Sequence, residues 1–180
     1  MNPFVLLSFT YAFSEFTLML SKKSRDESVK IRNDRGSLII LWFIISLGFF
    51  AGFFLSKSIS NLRLCLGLPL IIGGMVIRWI AIIQLGNSFT VDVAINNESR
   101  LKTDGIFKRI RHPSYSGLLL VIVGFASTMG SIYSFIVFVI PVFIALTYRI
   151  GVEESLLRKA FGDSYIEYSR NTKKLIPWLY

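Results

Sequence analysis

Residues 112–148 read HPSYSGLLLVIVGFASTMGSIYSFIVFVIPVFIALTY, and this run of 37 residues contains no Asp, Glu, Lys or Arg. A single straight helix of that length would extend about 55 Å, whereas the hydrocarbon core of a bilayer is about 30 Å thick. The run must therefore fold back on itself. Small and polar residues cluster at 127–131, and Gly130 permits backbone angles that other residues avoid. The run thus predicts two membrane helices, at 114–127 and 131–150, the first of them short.

Three further apolar segments precede this run. Residues 38–55 carry no charge, 3–20 are interrupted only by Glu15, and 64–85 are interrupted only by Arg78. Each segment is long enough to cross a bilayer as a helix. Over half of the chain is hydrophobic, at 53%. We therefore predict a single all-α integral membrane domain over residues 1–180, with five transmembrane helices.

The distribution of Lys and Arg predicts the orientation of these helices. Six fall at 22–35, five at 100–111 and six at 149–174, whereas only Lys57 and Arg63 lie in the loop between the second and third segments. Short loops rich in Lys and Arg stay in the cytoplasm, so the N-terminus is predicted outside and the C-terminus inside. Anionic lipid headgroups account for the net charge of +9, and we expect no nucleic-acid partner.

The chain has one cysteine, Cys65, and one histidine, His112. This count excludes a disulfide framework and a zinc site built on Cys and His, and we expect no metal. Because Cys65 lies between two leucines of an apolar segment, we predict that it is a small core residue.

The first polar cluster lies where the fourth helix begins. Pro113 fits the first position of a helix and disfavours helical angles at His112. The unpaired amides of this helix start, flanked by Arg111 and His112, would suit an anion. The alternative is structural, with Arg111 reaching lipid headgroups and His112 capping the helix.

The second polar cluster ends the fifth helix. Arg149 and Glu153 are four residues apart and share one helix face. They form either a structural ion pair or a ligand site that faces the helix bundle. An apolar stripe at 156–161 and then Gly162 precede the tyrosines of the C-terminal segment, which predicts a C-terminal interfacial helix over the cytoplasmic loop.

Together these clusters resemble the isoprenylcysteine carboxyl methyltransferase family and its phospholipid N-methyltransferase relatives. The matching elements, spread over residues 64–178, are Leu85-Gly-Asn-Ser-Phe89, 101–107, Arg111-His-Pro-Ser-Tyr-Ser-Gly117, Arg149 with Glu153-Glu154, Phe161-Gly-Asp-Ser-Tyr-Ile-Glu-Tyr168 and Ile176-Pro177. The resemblance implies methyl transfer from S-adenosylmethionine, bound on the cytoplasmic side, to a lipophilic acceptor that enters from the membrane. It implies a methyltransferase-like core at 61–180 after two N-terminal helices at 1–60, in the cytoplasmic membrane of a bacterium or archaeon.

The resemblance also assigns roles to residues. Those implied to bind the cofactor are Arg100, Leu101, Lys102, Phe107, His112, Pro113, Ser114, Tyr115 and Glu153. Arg149 stands where eukaryotic members contact the substrate carboxylate, which makes it both a substrate-binding and a catalytic candidate. One departure is Phe107, which stands where the family commonly has tyrosine, so a hydrogen bond from that hydroxyl is lost.

Several functions stay open at this point. A carboxylate acceptor is already ionised at neutral pH, whereas an amine must first lose a proton to a base. Glu154 is the first candidate for that base and the second catalytic candidate, and His112 comes after it. The acceptor can therefore be a prenylated cysteine carboxylate, a phospholipid amine or another isoprenoid-like molecule. A binding or transport protein without turnover and a structural membrane subunit are the alternatives from other classes.

Overall fold

The computed structural model describes residues 3–21, 29–32, 36–56, 60–86, 94–96 and 101–176. The helices within these ranges are α1 (Pro3–Ser21), α2 (Ser37–Phe54), α3 (Asn61–Leu85), α4 (Pro113–Met129), α5 (Ile132–Phe161) and α6 (Asp163–Asn171). Two short strands, β1 (Val29–Arg32) and β2 (Ala94–Asn96), pair antiparallel, and a 3-10 helix covers Gly105–Lys108. The small sheet is a departure from the all-α prediction.

Three of these helices, α2, α3 and α5, are long and apolar enough to cross a membrane, and α4 is a shorter apolar helix. The prediction of a helical integral membrane protein is therefore confirmed. The predicted bounds differ most for α5, which continues for 30 residues to Phe161 rather than ending near residue 150. Such a helix is about 45 Å long. The polar cluster that begins at Arg149 thus lies on a continuous extension of a membrane helix.

The predicted turn between α4 and α5 is confirmed, although α4 runs two residues further than predicted, to Met129. Gly130 has a positive φ of 65° and ends the helix, and α5 begins at Ile132. A Cβ atom at position 130 would also collide with the guanidinium of Arg63. The positive φ therefore requires glycine here, whereas the guanidinium of Arg63 lies at the end of a flexible side chain and could move.

Glycines bring the helices together in two close pairs. Between α3 and α4, a Cβ atom on Gly74 would lie 2.5 Å from the carbonyl oxygen of Gly117. Between α2 and α5, Gly48 packs against the ring of Phe138, and Ser134 donates a hydrogen bond to the carbonyl of Gly52 at 2.8 Å. Small residues allow membrane helices to approach closely, because lipid supplies no hydrophobic force between them.

The prediction for Cys65 is wrong, since this residue is exposed on the outer surface of α3. Cys65 precedes Gly74 by nine residues, which places it half a turn away from the face that packs on α4. A lipid-facing surface is as apolar as a core, so hydrophobicity alone does not separate the two.

Candidate active site

The first functional element is the junction before α4. As predicted, Pro113 takes the first helical position and His112 lies outside the helix, with φ of −123° and ψ of 57°. The backbone carbonyl of His112 accepts hydrogen bonds from the amides of Tyr115 and Ser116. Its imidazole, however, makes no capping bond within the described part of the chain. The ring is buried, at 4% exposure, and serves a different purpose from the predicted cap.

The imidazole of His112 faces two consecutive glutamates of α5. Its Nδ1 lies 3.8 Å from Oε2 of Glu153, and its Nε2 lies 3.4 Å from Oε1 of Glu154. The ring of Tyr115 stacks on that of His112, with 5.7 Å between centroids and 19° between planes. The start of α4 and the far part of α5 therefore meet around one histidine.

The two glutamates have different surroundings. The side chain of Glu154 is 6% exposed, and its carboxylate lies 2.9 Å from Nε of Arg111 and 3.8 Å from Nζ of Lys174. The side chain of Glu153 is 30% exposed and accepts a hydrogen bond from the hydroxyl of Tyr115 at 2.8 Å. Consecutive residues of a helix point about 100° apart, so one carboxylate faces the interior and the other faces an open side. Glu153 is thus the carboxylate that a ligand can reach.

Arg111 holds the C-terminal segment in place. Its Nη1 donates to the carbonyl of Ser169 at 2.8 Å and to the carbonyl of Thr172, at the C-terminal end of α6, while Nε binds Glu154. A cation at these carbonyls suits the negative end of a helix. The side chain is largely buried, so the alternative that Arg111 reaches lipid headgroups is wrong.

The residues after α6 form a contact that the sequence did not predict. The amides of Arg111 and His112 donate to the carbonyls of Lys173 and Lys174, at 2.7 and 3.0 Å. Leu175 is buried beside them. The C-terminal strap, which we define as residues 172–175, therefore lies parallel to the stretch that carries the histidine.

The α6 helix packs against the loop before α4, at Phe107. Tyr168 donates a hydrogen bond to the carbonyl of Phe107 at 2.7 Å, and burial raises the pKa of Tyr168 to about 12. Burial, together with the charge of Glu154, also raises the pKa of Tyr165. The Tyr165 hydroxyl is buried and has no hydrogen-bond partner among the described residues. Two neutral phenols thus cover this side of the site.

Arg149 and Glu153 are linked through a third residue. Nε of Arg149 donates to the hydroxyl of Tyr115 at 2.9 Å, and the same hydroxyl donates to Glu153. Nη1 of Arg149 donates to the hydroxyl of Ser37, the first residue of α2, at 2.9 Å. Sequence reasoning did not identify Ser37, because its only local signal is a polar residue at the start of an apolar helix.

The remaining predicted residues have other partners. Lys102 forms an ion pair with Asp104 at 2.9 Å, and this hydrogen bond lowers the pKa of the Asp104 carboxyl. Phe107 is buried, and the preceding amide, of Ile106, donates to Gln84 at 3.0 Å. Leu101 is half-buried in the same loop, Pro113 is buried, Ser114 contacts Arg78, and Arg100 lies outside the described residues.

Comparison with known proteins gives a consistent picture. The family model described as phospholipid methyltransferase matches residues 62–164, more than half of the chain. Protein-S-isoprenylcysteine O-methyltransferase B of Arabidopsis thaliana is 36% identical over 142 residues, which are 78% of this chain and 70% of that protein. Protein-S-isoprenylcysteine O-methyltransferase A of the same plant is 37% identical over 63% of this chain and 58% of that protein.

The fold is also similar to that of a solved structure, a eukaryotic intramembrane Ras methyltransferase named isoprenylcysteine carboxyl methyltransferase. The TM-score is 0.64 at 24% sequence identity, and the match covers 83% of this chain and 55% of that protein. The matches thus cover between 55% and 70% of the length of these three proteins. On the family model and the plant relatives, the chain belongs to the isoprenylcysteine carboxyl methyltransferase family.

Proposed function

We propose that this chain is a membrane-embedded methyltransferase that transfers a methyl group from S-adenosylmethionine to the carboxylate of an isoprenylated cysteine. The observation that carries the proposal is the hydroxyl of Tyr115, which joins the buried guanidinium of Arg149 to the accessible carboxylate of Glu153. Within one site, Arg149 thus offers a cation to an acidic acceptor and Glu153 offers an anion to a cationic methyl donor. Both side chains are hydrogen-bonded to Tyr115.

Arg149 suits the acceptor. A guanidinium recognises a carboxylate by paired hydrogen bonds, and its charge persists even when buried. The acceptor carboxylate is ionised at neutral pH, so its oxygen is a nucleophile without a base. This agrees with the surroundings of Glu154, whose ionised form is stabilised by Arg111 and Lys174 and is therefore a weak proton acceptor. We propose that Glu154 positions His112 and Arg111 rather than acting as a base.

The residues around Glu153 fit S-adenosylmethionine by their chemistry. A partly exposed carboxylate suits an ammonium group or ribose hydroxyls, and the stacked rings of His112 and Tyr115 offer an aromatic face to a cation. We propose that Leu101, Lys102 and Phe107, with Arg100, complete this pocket on the loop side. Pro113 and Ser114 contribute through the backbone of the first turn of α4.

When bound, S-adenosylmethionine supplies a methyl group on a sulfonium, so attack by a carboxylate oxygen breaks the carbon–sulfur bond, leaves a neutral thioether and forms a methyl ester. No proton is taken up or released. The protein then has to hold both partners in line in a water-poor site. This alignment alone can lower the activation free energy by several kcal/mol. Arg149 orients the acceptor, Glu153 orients the donor, and Tyr115 fixes the distance between these two side chains.

The proposal includes a topology. Helices α1 to α5 would each cross the membrane, with the N-terminus outside and the polar extension of α5 in the cytoplasm. The Lys and Arg bias supports this arrangement, and the single-domain organisation with a core at 61–180 is part of it. The acceptor would reach Arg149 from the membrane, since this residue lies where α5 leaves its apolar part.

A second candidate is methylation of a phospholipid amine, because the matching family model is described as phospholipid methyltransferase. This reaction needs a base to remove the ammonium proton. The hydrogen-bonded pair of His112 and Glu154, 3.4 Å apart, would be the available group.

The experiment uses the purified full chain with methyl-labelled S-adenosylmethionine. One reaction receives an S-farnesylated N-acetylcysteine, and another receives vesicles of phosphatidylethanolamine. A methyl ester releases labelled methanol in mild base, whereas an N-methyl group survives. Base-labile label on the farnesylated cysteine supports the proposal, and base-stable label on the lipid favours the second candidate. Binding of S-adenosylmethionine without methyl transfer to either acceptor would contradict both candidate reactions and favour a binding protein without turnover.

A further inference from the structure

We infer that Arg78, oriented by Glu15, is a positioning residue for methyl transfer, because it fixes the first turn of α4, from which Tyr115 reaches the active site. The inference rests on the proposed function. Both residues lie outside the polar clusters that identify the family, and Glu15 lies outside the segment that the family model matches.

The first step concerns charge. Arg78 lies inside the apolar helix α3, seven residues before its end at Leu85, where an unpaired cation is costly. Glu15 of α1 supplies the matching anion. Nε of Arg78 lies 2.6 Å from Oε1 and Nη2 lies 2.7 Å from Oε2, so two parallel hydrogen bonds join the groups. This bidentate geometry fixes the plane of the guanidinium.

The second step concerns direction. The third nitrogen, Nη1, donates to the side-chain oxygen of Ser114 at 2.9 Å and to its carbonyl oxygen at 3.3 Å. Because the guanidinium is rigid and planar, holding two nitrogens on Glu15 fixes where the third one points. Ser114 is the second residue of α4 and directly precedes Tyr115. The carboxylate on α1 therefore sets the position of the first turn of α4.

The third step concerns packing. A Cβ atom on Gly117 would lie 2.8 Å from the backbone nitrogen of Arg78. The backbones of α3 and α4 are thus in contact three residues beyond Ser114, slightly less than one helical turn. A small rotation of α4 on this surface would move Tyr115, whose hydroxyl must meet both Arg149 and Glu153. The guanidinium resists that rotation through its hydrogen bonds to Ser114.

A double variant separates this positioning role from a purely structural role of the ion pair. Replacing a buried pair by apolar residues of similar size is often neutral or stabilising, whereas removing one partner strands a charge. The double variant Glu15→Leu with Arg78→Met therefore keeps the fold but leaves Ser114 without its donor. Trp79→Phe is the matched control, because Trp79 donates to Ser14 at 2.9 Å and so links the same two helices through a hydrogen bond of its own.

The first measurement needs no ligand. Hydrogen–deuterium exchange of the purified chain in detergent micelles should show about tenfold faster exchange at the amides of 114–118 in the double variant. The rest of α4 and the Trp79→Phe control should exchange as the wild type does. Wild-type exchange rates at 114–118 in a folded double variant would overturn the inference.

The second measurement is functional. The double variant should bind S-adenosylmethionine about tenfold more weakly and lose kcat, while the KM for the farnesylated acceptor changes less, because Arg149 keeps its hydrogen bond to Ser37. If the wild type transfers the methyl group and the double variant is equally active, the role of Arg78 is refuted and the proposed function still holds. A wild type that binds S-adenosylmethionine but transfers no methyl group would refute the proposed function, and the exchange data would still decide the role of Arg78.

Discussion

Tyr115 donates a hydrogen bond to Glu153 across the contact between α4 and α5, with 2.8 Å between the two oxygens. The same hydroxyl accepts a hydrogen bond from Arg149 at 2.9 Å. A group that donates to an anion and accepts from a cation keeps the two charges at a fixed separation and prevents their direct collapse into an ion pair. This separation is what two different ligands of opposite charge would need.

Replacing Tyr115 by phenylalanine should therefore impair methyl transfer more than folding. The ring and its stacking on His112 remain, whereas two hydrogen bonds to charged groups are lost, each worth about 1.5–3 kcal/mol. We expect kcat/KM to fall by at least about tenfold. Steady-state kinetics with the farnesylated acceptor measures this. The control is Tyr133→Phe, at an exposed position of the same helix pair. Equal activity of the two variants would contradict the role of the Tyr115 hydroxyl.

Replacing Arg149 and replacing Glu153 should impair the binding of different ligands. We expect Arg149→Ala to raise the KM for the acceptor while S-adenosylmethionine affinity stays near that of the wild type, and Glu153→Ala to weaken S-adenosylmethionine binding. Ser37→Ala removes one partner of Arg149, so it should raise the KM for the acceptor by a smaller factor than Arg149→Ala does. Kinetics and calorimetric titration separate these effects.

A structural ion pair would behave otherwise. Each single change would then lower the free energy of unfolding by about 3–5 kcal/mol, and the double variant Arg149→Met with Glu153→Leu would restore it. Thermal melts that show this pattern would exclude the division between acceptor and donor.

His112→Ala should weaken S-adenosylmethionine binding by about tenfold, because the ring lies against Glu153, Glu154 and Tyr115 and orients all three. His112→Asn is the matched variant, since its amide can still donate a hydrogen bond towards one glutamate. We expect it to retain more affinity than the alanine variant in calorimetric titration. Unchanged affinity in a folded His112→Ala protein would limit this residue to its backbone role at the start of α4.

Arg111 should matter for stability. Its replacement by methionine leaves Glu154 with a weaker set of partners and removes the cation from the C-terminal end of α6, so we expect a loss of about 3–5 kcal/mol. Arg170→Met is the control, because Arg170 is exposed on α6. Thermal melts and limited proteolysis of the C-terminal strap measure the effect. A melting temperature equal to that of the control would mean that the strap holds without Arg111.

The topology is testable without the reaction. Reporter fusions should place the N-terminus outside and the C-terminus in the cytoplasm, because three Lys and Arg clusters then share one side. A cytoplasmic location of both ends would require an even number of crossings and would exclude the five-helix arrangement.

The amino-acid sequence alone was sufficient to predict the hairpin of α4 and α5 and the start of α4, although the end of α5 lies further along the chain than predicted. The 37-residue uncharged run forced a hairpin because it is too long for one crossing, Gly130 located the turn, and Pro113 located the start of α4. These features depend on neighbours within one or two turns, where composition and stereochemistry are sufficient. The resemblance assigned the site residues in the same way, by order along the chain.

Which side chains meet across the helix bundle depends on the tertiary structure. Arg149 binds Ser37 across 112 residues of sequence, and Arg78 binds Glu15 across 63. It also separated the roles of Glu153 and Glu154, which are adjacent in sequence but differ in exposure and partners. Such contacts depend on how the helices rotate and approach at their glycines, and apolar periodicity cannot reveal this in a chain whose outer surface faces lipid. The same reason explains why Cys65 resembled a core residue and is exposed.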